Sequence, residues 1–451
     1  MGKPVGCPDT EDRVTVTRTF RTLLEEIAGF RILDTHEHLP PEKDLPKAEA
    51  DVLAVWLSQY FDADLVSAGL PVATLNDVRN PRLDLRDRWQ RLEPFWRVAR
   101  HTGYGRALVR AAADLFHVPE ITAHTIGSLQ EAFCAARTSH SPYYRWLLGE
   151  QGRIALSVVD RPGPLNLEEI RNASEPFVFT HRVTPYHTPG HRLAIQKMGE
   201  EVGVRVHTLE DWEETIRRHL KRALLDTDRV VCLKLPDAYH RPLFYPRRTR
   251  AEAEAAFHER FQAAYSPASH EAPPTSPVLQ DYLLHEILRF ADAHGVVVQV
   301  HTGIQAGNGN VVTDSNPTLL TSLFLEYSNV RFDLFHMGYP YQQEAAVLAK
   351  TFPNVFLDMC WAHIISPEAA RRALSEWLDS VPANKIMGFG GDYHFPEGVY
   401  GHQAIARENI AAVLADKVDR GDMGQEDARE VARWLLVDNP AALFGLGAYV
   451  H

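Results

Sequence analysis

The chain has 451 residues, of which 45% are hydrophobic and 24% charged, and its formal net charge is −12. This composition is typical of an ordinary globular protein, and the length suits two average domains or one large barrel with insertions. The acidic balance, the lack of a basic stripe and the lack of an 18-residue apolar run argue against nucleic acid and membranes as partners.

The first part of the chain predicts a helix followed by a buried strand. Apolar residues share one helical stripe over 13–29, and strand one follows at about 30–36. The end of this strand carries the sequence Asp34-Thr-His-Glu-His-Leu39. His36 and His38 point the same way on a strand, and two imidazoles on one face make half of a divalent metal site.

A long insertion is predicted after strand one, at residues 41–150. Helical patterns cover 50–60 and 83–100, Gly103-Tyr-Gly105 interrupts them, and a helix resumes over 106–116. A segment of about a hundred residues without a convincing strand is too long for a loop, which indicates a helical cap. The predicted units are residues 1–40 with the first helix and strand, 41–150 as the cap, and 151–451 as the rest of a barrel.

Seven further strands alternate with helices downstream. The strands are predicted at Ile154–Val159, Phe177–Val183, Val230–Leu235, Val296–Val300, Val330–Phe335, Val355–Met359 and Ile386–Phe389. The helices are predicted at 208–224, 251–264, 277–294, 317–327, 342–351, 367–379, 401–419 and 426–437. Eight strand–helix units predict an α/β fold, a (β/α)8 TIM barrel with a helical cap inserted after strand one.

Three further polar residues stand where predicted strands end. His301 follows strand five, His336 follows strand six and Asp392 follows strand eight. The chemistry of such barrels lies at the carboxyl ends of the strands, so we expect these side chains to meet His36 and His38. A carboxylate there can bind a metal and accept a proton from a metal-bound water.

This ordered set resembles the amidohydrolase superfamily, and within it the amidohydrolase-2 branch. The residues that carry the resemblance are Asp34-Thr-His-Glu-His38, Val300-His-Thr-Gly303, Gly388-Phe-Gly-Gly-Asp392 and Asn439-Pro-Ala-Ala-Leu-Phe-Gly445. The insertion is similar to the helical cap of uronate isomerases.

The resemblance implies a metal centre with two catalytic side chains. It implies one divalent ion, expected to be Zn²⁺ with Mn²⁺ as the alternative, held by His36, His38, His301 and Asp392. Asp392 would also accept a proton, and His336 would polarise the substrate carbonyl. A second ion is expected only if Lys234 is carboxylated.

Substrate contacts are predicted from basic and aromatic residues near the strand ends. These residues are Lys234, His240, Arg241, Arg182 and Trp361. Arg suits bidentate binding of a carboxylate. For Lys234 three roles stay open: a bridging carbamate, a substrate contact, or a structural ammonium.

The resulting functional hypothesis is a metal-dependent hydrolase of a small polar, carboxylate-bearing amide, ester or lactone, acting through a metal-bound water. Three alternatives stay open: a uronate-isomerase-like sugar-acid isomerase, a metal-dependent non-oxidative decarboxylase and a catalytically silent barrel. The N-terminus lacks the apolar core of a signal peptide, so we expect a cytoplasmic protein. The expected partners are a small-molecule substrate and further copies of the chain.

Overall fold

Eight parallel strands form the centre of the molecule, and each is hydrogen-bonded to the next in chain order. The computed structural model describes residues 17–161, 167–171, 173, 175–262 and 274–449. The strands are β1 (Ile32–Glu37), β2 (Ile154–Val159), β3 (Phe177–Arg182), β4 (Val230–Leu235), β5 (Val297–Val300), β6 (Arg331–Leu334), β7 (Val355–Asp358) and β8 (Ile386–Met387).

Backbone hydrogen bonds between β1 and the segment after β8 close the barrel. Thr35 N donates to Phe389 O at 3.1 Å, and Asp392 N donates to His36 O at 2.8 Å. The predicted TIM barrel is therefore confirmed. The second bond also places Asp392 directly beside the histidine pair of β1.

Helices cover the barrel and fill the insertion. The insertion between β1 and β2 holds helices α2 to α7. Helix α1 precedes β1, and the remaining helices surround the barrel. The helices are α1 (Arg18–Ala28), α2 (Val52–Trp56), α3 (Phe61–Ser67), α4 (Val72–Val78), α5 (Leu85–Ala99), α6 (Gly103–Phe116), α7 (Ile126–Ser139), α8 (Leu167–Arg171), α9 (Thr184–His187), α10 (Arg192–Glu201), α11 (Leu209–Leu224), α12 (Arg250–Gln262), α13 (Pro277–His294), α14 (Thr321–Glu326), α15 (Gln342–Thr351), α16 (Ala362–Ile365), α17 (Pro367–Ser380), α18 (Pro396–Arg420), α19 (Gln425–Arg433) and α20 (Asn439–Phe444).

Most element boundaries lie within a few residues of the prediction. The strands β2 and β4 have the predicted ends, and the capping box at Thr208 opens α11. Helix α18 begins at Pro396 rather than 401, because proline suits the first turn of a helix. The predicted helix over 317–327 is a 3₁₀ turn followed by α14. Residues 13–16 of the first predicted helix lie outside the described residues.

The prediction that Gly103-Tyr-Gly105 interrupts the cap is wrong. Gly103 is the first residue of α6, and the Thr102 hydroxyl accepts from Gly105 N at 3.2 Å as its N-cap. A Cβ at Gly103 would overlap the Ile364 carbonyl, and a Cβ at Gly401 of α18 would overlap that of Ala107. These glycines therefore allow α6 of the cap to lie against the barrel helices.

The cap and barrel share one apolar interior. Leu65, Trp89 and Phe133 of the cap are buried in the same cluster as the barrel residues Leu357 and Phe389. The cap is thus an integral part of the hydrophobic core.

Among the described helices, none combines the length and apolar character that a membrane crossing needs.

Candidate metal centre and active site

The two histidines at the end of β1 converge on the carboxylate of Asp392. Nε2 of His38 lies 3.1 Å from Asp392 Oδ1, and Nε2 of His36 lies 3.6 Å from the same oxygen. Ligand atoms of a tetrahedral zinc site are about 3.3 Å apart when each lies at about 2.0–2.1 Å from the ion. The spacing of these donor atoms therefore fits a divalent cation.

The other ring nitrogen of each histidine is held by the barrel. The Gln299 amide donates to Thr35 O at 2.9 Å, which leaves its Oε1 to accept from His36 Nδ1 at 3.2 Å. His38 Nδ1 donates to Asp160 O at 3.0 Å. His36 Nε2 consequently carries a lone pair, and among the described residues it is buried without a hydrogen-bond partner, whereas His38 Nε2 faces the Asp392 carboxylate. Metal-binding histidines are typically oriented in this way.

The electrostatics favour the protonation states that a metal requires. Burial and then the charge of Lys234 hold the pKa of His36 well below its ordinary value. Burial raises the pKa of Asp392, but the hydrogen bond with His38 and the neighbouring imidazoles lower it more, so the pKa lies well below its ordinary value. The neutral imidazole of His36 thus faces an ionised carboxylate. Burial lowers the pKa of His38, but the hydrogen bond and charge of Asp392 together with the charge of Asp160 raise it more.

A carboxylate that the sequence analysis missed borders this cluster. Asp160 directly follows β2 and is fully buried, and its Oδ2 lies 3.9 Å from His36 Nε2. Arg182, at the end of β3, donates from Nε to both oxygens at 2.8 and 2.9 Å and from Nη2 at 2.8 Å. The signal was available, because Asp160 follows an apolar strand just as Asp392 does.

The histidines after β5 and β6 form a pair beside Asp392. His301 Nδ1 lies 3.0 Å from His336 Nε2, and the outer nitrogens face the carbonyls of Ile304 and Cys360, each at 3.0 Å. Each neutral imidazole has one N–H proton, and the two carbonyls take both as acceptors. No proton therefore lies between His301 Nδ1 and His336 Nε2. Burial lowers the pKa of His336 to about 4, so the pair is neutral and its two facing nitrogens can accept a cation or a proton.

His336 and Lys234 lie close to the cluster, as the sequence predicts. His336 Nε2 is 4.0 Å from Asp392 Oδ2. Lys234 is buried on β4, with Nζ 3.6 Å from the centre of the Phe335 ring. Burial lowers the pKa of Lys234, although the carboxylates of the site act in the opposite direction. Its three possible roles stay open.

The cap adds a tyrosine that the sequence analysis missed. The Tyr60 hydroxyl lies 2.7 Å from Asp392 Oδ2 and 2.6 Å from the Asp392 carbonyl oxygen, so its single proton is shared between these two acceptors. Its ring stacks on Trp361 at 4.5 Å between centres and on Tyr104 at 5.4 Å. Trp361 in turn meets His336 edge-on at 5.1 Å, and its buried indole N–H has no hydrogen-bond partner among the described residues. No pattern around Tyr60 in the sequence marks it.

Backbone strain is concentrated at this point. Tyr60, His336, Trp361 and Asp392 all have φ between 62° and 63°. Side-chain-bearing residues disfavour this left-handed region at a cost of about 1–3 kcal/mol each, and such residues cluster at functional sites. The four residues contact one another, which makes the surroundings of Asp392 the candidate functional centre.

Two of the predicted substrate contacts, His240 and Arg241, are exposed or bound to other side chains. Arg241 donates to Asp281 Oδ1 at 2.6 Å and to Gln280 at 2.8 Å. His240 is exposed, with its ring 6.4 Å from that of Tyr239. The structure therefore brings Arg182, Lys234 and Trp361 to the site, and a substrate contact by any of the five residues stays a prediction.

Comparisons with known proteins agree with this fold. The uronate isomerase of Phenylobacterium zucineum is 24% identical over an alignment of 464 residues that covers 94% of this chain and 93% of the isomerase. Protein fluG of Emericella nidulans is 33% identical over 191 residues, but the match covers 41% of this chain and only 22% of fluG. The crystal structure of glucuronate isomerase from Caulobacter crescentus superimposes with a TM-score of 0.75 at 19% identity, covering 98% and 97% of the two chains.

A family model supplies the most direct assignment. The amidohydrolase model Amidohydro_2 matches residues 180–446, more than half of the chain, and the match includes His301, His336 and Asp392. The chain belongs to the amidohydrolase family.

Proposed function

We propose that the protein is a metal-dependent isomerase of a small sugar acid of the uronate class. The observation that carries the proposal is that cap and barrel jointly build the site, through the Tyr60–Asp392 contact. The uronate isomerase aligns across both regions, whereas the fluG match spans less than half of the chain.

The residues around Asp392 would divide into metal ligands and proton-transfer groups. His36, His38 and Asp392 would hold the ion, with His301 as a further candidate ligand. The ion would polarise the carbonyl and hydroxyl oxygens of the substrate. Zinc and manganese are the two ions that we propose.

Isomerisation of an aldose to a ketose moves a proton between adjacent carbons and a second proton between their oxygens. Asp392 is ionised and can accept a proton. Burial and then the Asp392 charge raise the pKa of Tyr60 well above its ordinary value, so its hydroxyl stays protonated and can donate to an oxygen. The neutral His301–His336 pair can take up a proton close by.

The substrate carboxylate would be held by the cationic side of the site. Arg182 binds Asp160 through Nε and Nη2, and its side chain is 28% exposed. Lys234 offers an ammonium on the neighbouring strand, since Arg182 and Lys234 are partners in the β3–β4 register. Two adjacent cations suit a small anion.

Hydrolysis is the second candidate, favoured by the unpartnered indole N–H of Trp361 beside His336. These two side chains could stabilise an oxyanion while Asp392 accepts a proton from water. The substrate would be a carboxylate-bearing amide, ester or lactone.

Product analysis separates the two candidates. The metal-loaded protein is incubated with a panel of uronates and a panel of amides, esters and lactones, with His36→Ala as the control. Interconversion of a uronate and its keto isomer without a change of mass supports the proposal. Gain of one water by a member of the second panel, with no uronate turned over, would replace isomerisation by hydrolysis.

A further inference from the structure

We propose that Gln59 of the cap is a positioning residue for Asp392, so that the cap completes the metal centre as well as covering it. The inference rests on the proposed role of Asp392 as a metal ligand. It does not depend on whether the reaction is an isomerisation or a hydrolysis.

The side-chain amide of Gln59 clamps the segment that carries Asp392. Its Nε2 donates to the Asp392 carbonyl at 2.9 Å, and its Oε1 accepts from His394 N at 2.8 Å. The two bonds bracket Tyr393 in the way that the backbone of a neighbouring strand would. Ser58 adds a contact of 2.6 Å between its Oγ and His394 Nε2.

The segment needs such support because β8 ends early. The strand covers only Ile386–Met387, and Asp392 adopts a left-handed φ of 62° that residues with a side chain disfavour. Groups of both the barrel and the cap bind this segment. On the barrel side His36 O accepts from Asp392 N, and Glu37 Oε2 accepts from Tyr393 N at 2.8 Å. On the cap side Gln59 binds the groups before and after Tyr393.

An amide is the side chain that suits this position. It offers one donor and one acceptor, which the Asp392 carbonyl and the His394 N–H each require. Methionine has nearly the same length but cannot make either hydrogen bond. Glutamate keeps the acceptor but loses the donor, and it places a charge next to a carbonyl oxygen and near the Asp392 carboxylate.

The test measures metal affinity, which a loss of catalytic chemistry alone would not change. Zn²⁺ binding to the full chain is measured by competition with a chromophoric chelator for wild type, Gln59→Met and Gln59→Glu. The matched control is Gln90→Met, at an exposed position of α5 in the same cap. Circular dichroism and thermal unfolding establish that each variant is folded.

We expect both Gln59 variants to bind Zn²⁺ about 10–100-fold more weakly than wild type, the range typical of residues that orient metal ligands, with Gln90→Met unchanged. Amide hydrogen exchange over 390–396 should also become faster in Gln59→Met. Affinities within about twofold of wild type in both variants would overturn the inference, as would a wild-type chain that binds neither Zn²⁺ nor Mn²⁺. If the Gln59 variants lose this much Zn²⁺ affinity but the wild-type protein turns over no uronate, the proposed function alone would be overturned.

Discussion

The barrel and the cap contribute to the same site in different ways. The barrel supplies groups at strand ends, where a parallel fold gathers residues from distant parts of the sequence. The cap supplies Tyr60 and Gln59 at the turn between α2 and α3, which reach Asp392 from outside the barrel. In the proposed function the barrel thus supplies the reacting groups, whereas the cap covers the site and orients Asp392.

The largest effect should follow from changing the residue where both regions meet. Asp392→Asn removes the charge that the histidines and Tyr60 surround, and we expect kcat for the proposed reaction to fall about 10²–10⁴-fold. The measurement is product formation at saturating metal. Asp77→Asn, at an exposed position of α4, is the control and should match wild type. Retention of more than about a tenth of the activity would remove Asp392 from the chemistry.

Tyr60→Phe isolates the contribution of the cap. The ring stack on Trp361 is retained, but the hydroxyl that donates to Asp392 is lost. We expect kcat to fall about 10–100-fold, since hydrogen bonds to charged groups contribute about 1.5–3 kcal/mol. Tyr104→Phe keeps the neighbouring ring and leaves the Asp392 contact in place, so it should retain full activity. If both variants were equally active, the Tyr60 hydroxyl would contribute nothing to the reaction and the cap would only cover the site.

Gly401→Ala tests the contact between the two regions. An added Cβ would overlap the Ala107 carbonyl of α6, so α18 and the cap must separate slightly. We expect the free energy of unfolding to fall by about 1–3 kcal/mol, as for other overpacked sites. Gly127→Ala, in a cap helix with open space around the added methyl, should be neutral or stabilising. Denaturant unfolding compares them, and equal stabilities would mean that the contact is loose.

A buried ion pair in the barrel is independent of the cap. His187 Nε2 lies 2.6 Å from Asp237 Oδ2 in a buried pair. Burial raises the pKa of Asp237, but His187, the Tyr245 hydroxyl and Arg241 together lower it more, to below the ordinary 3.8. Burial lowers the pKa of His187, but Asp237 and the Val183 carbonyl together raise it more, to above the ordinary 6.5.

These shifts set a pH window for the pair. The stabilisation by Asp237 is present above pH 3.8 and is lost as the pH falls through its folded-state pKa. The stabilisation by His187 is complete below pH 6.5 and is lost as the pH rises through its folded-state pKa. Asp237→Asn should therefore destabilise most between these values, as measured by urea unfolding across pH. A pH-independent loss of stability would show that the pair is not ionic.

The same difference between the regions explains how far the sequence could predict the structure. Apolar strands that end in His36, His301, His336 or Asp392 report both the fold and the site, because strand ends converge in a barrel. Tyr60 and Gln59 act through a close approach of the cap that no local pattern encodes. Arg241 shows the converse, since its partner Asp281 lies 40 positions away and could not be identified from the sequence.

The central claim is that His36, His38 and Asp392 form a divalent metal centre. Metal content per chain tests it most directly. Elemental analysis of gently purified protein should find about one Zn²⁺ or Mn²⁺ per chain, and His36→Ala should lose most of it. A chain that holds no metal and does not rebind Zn²⁺ or Mn²⁺ would contradict the account and favour a catalytically silent barrel.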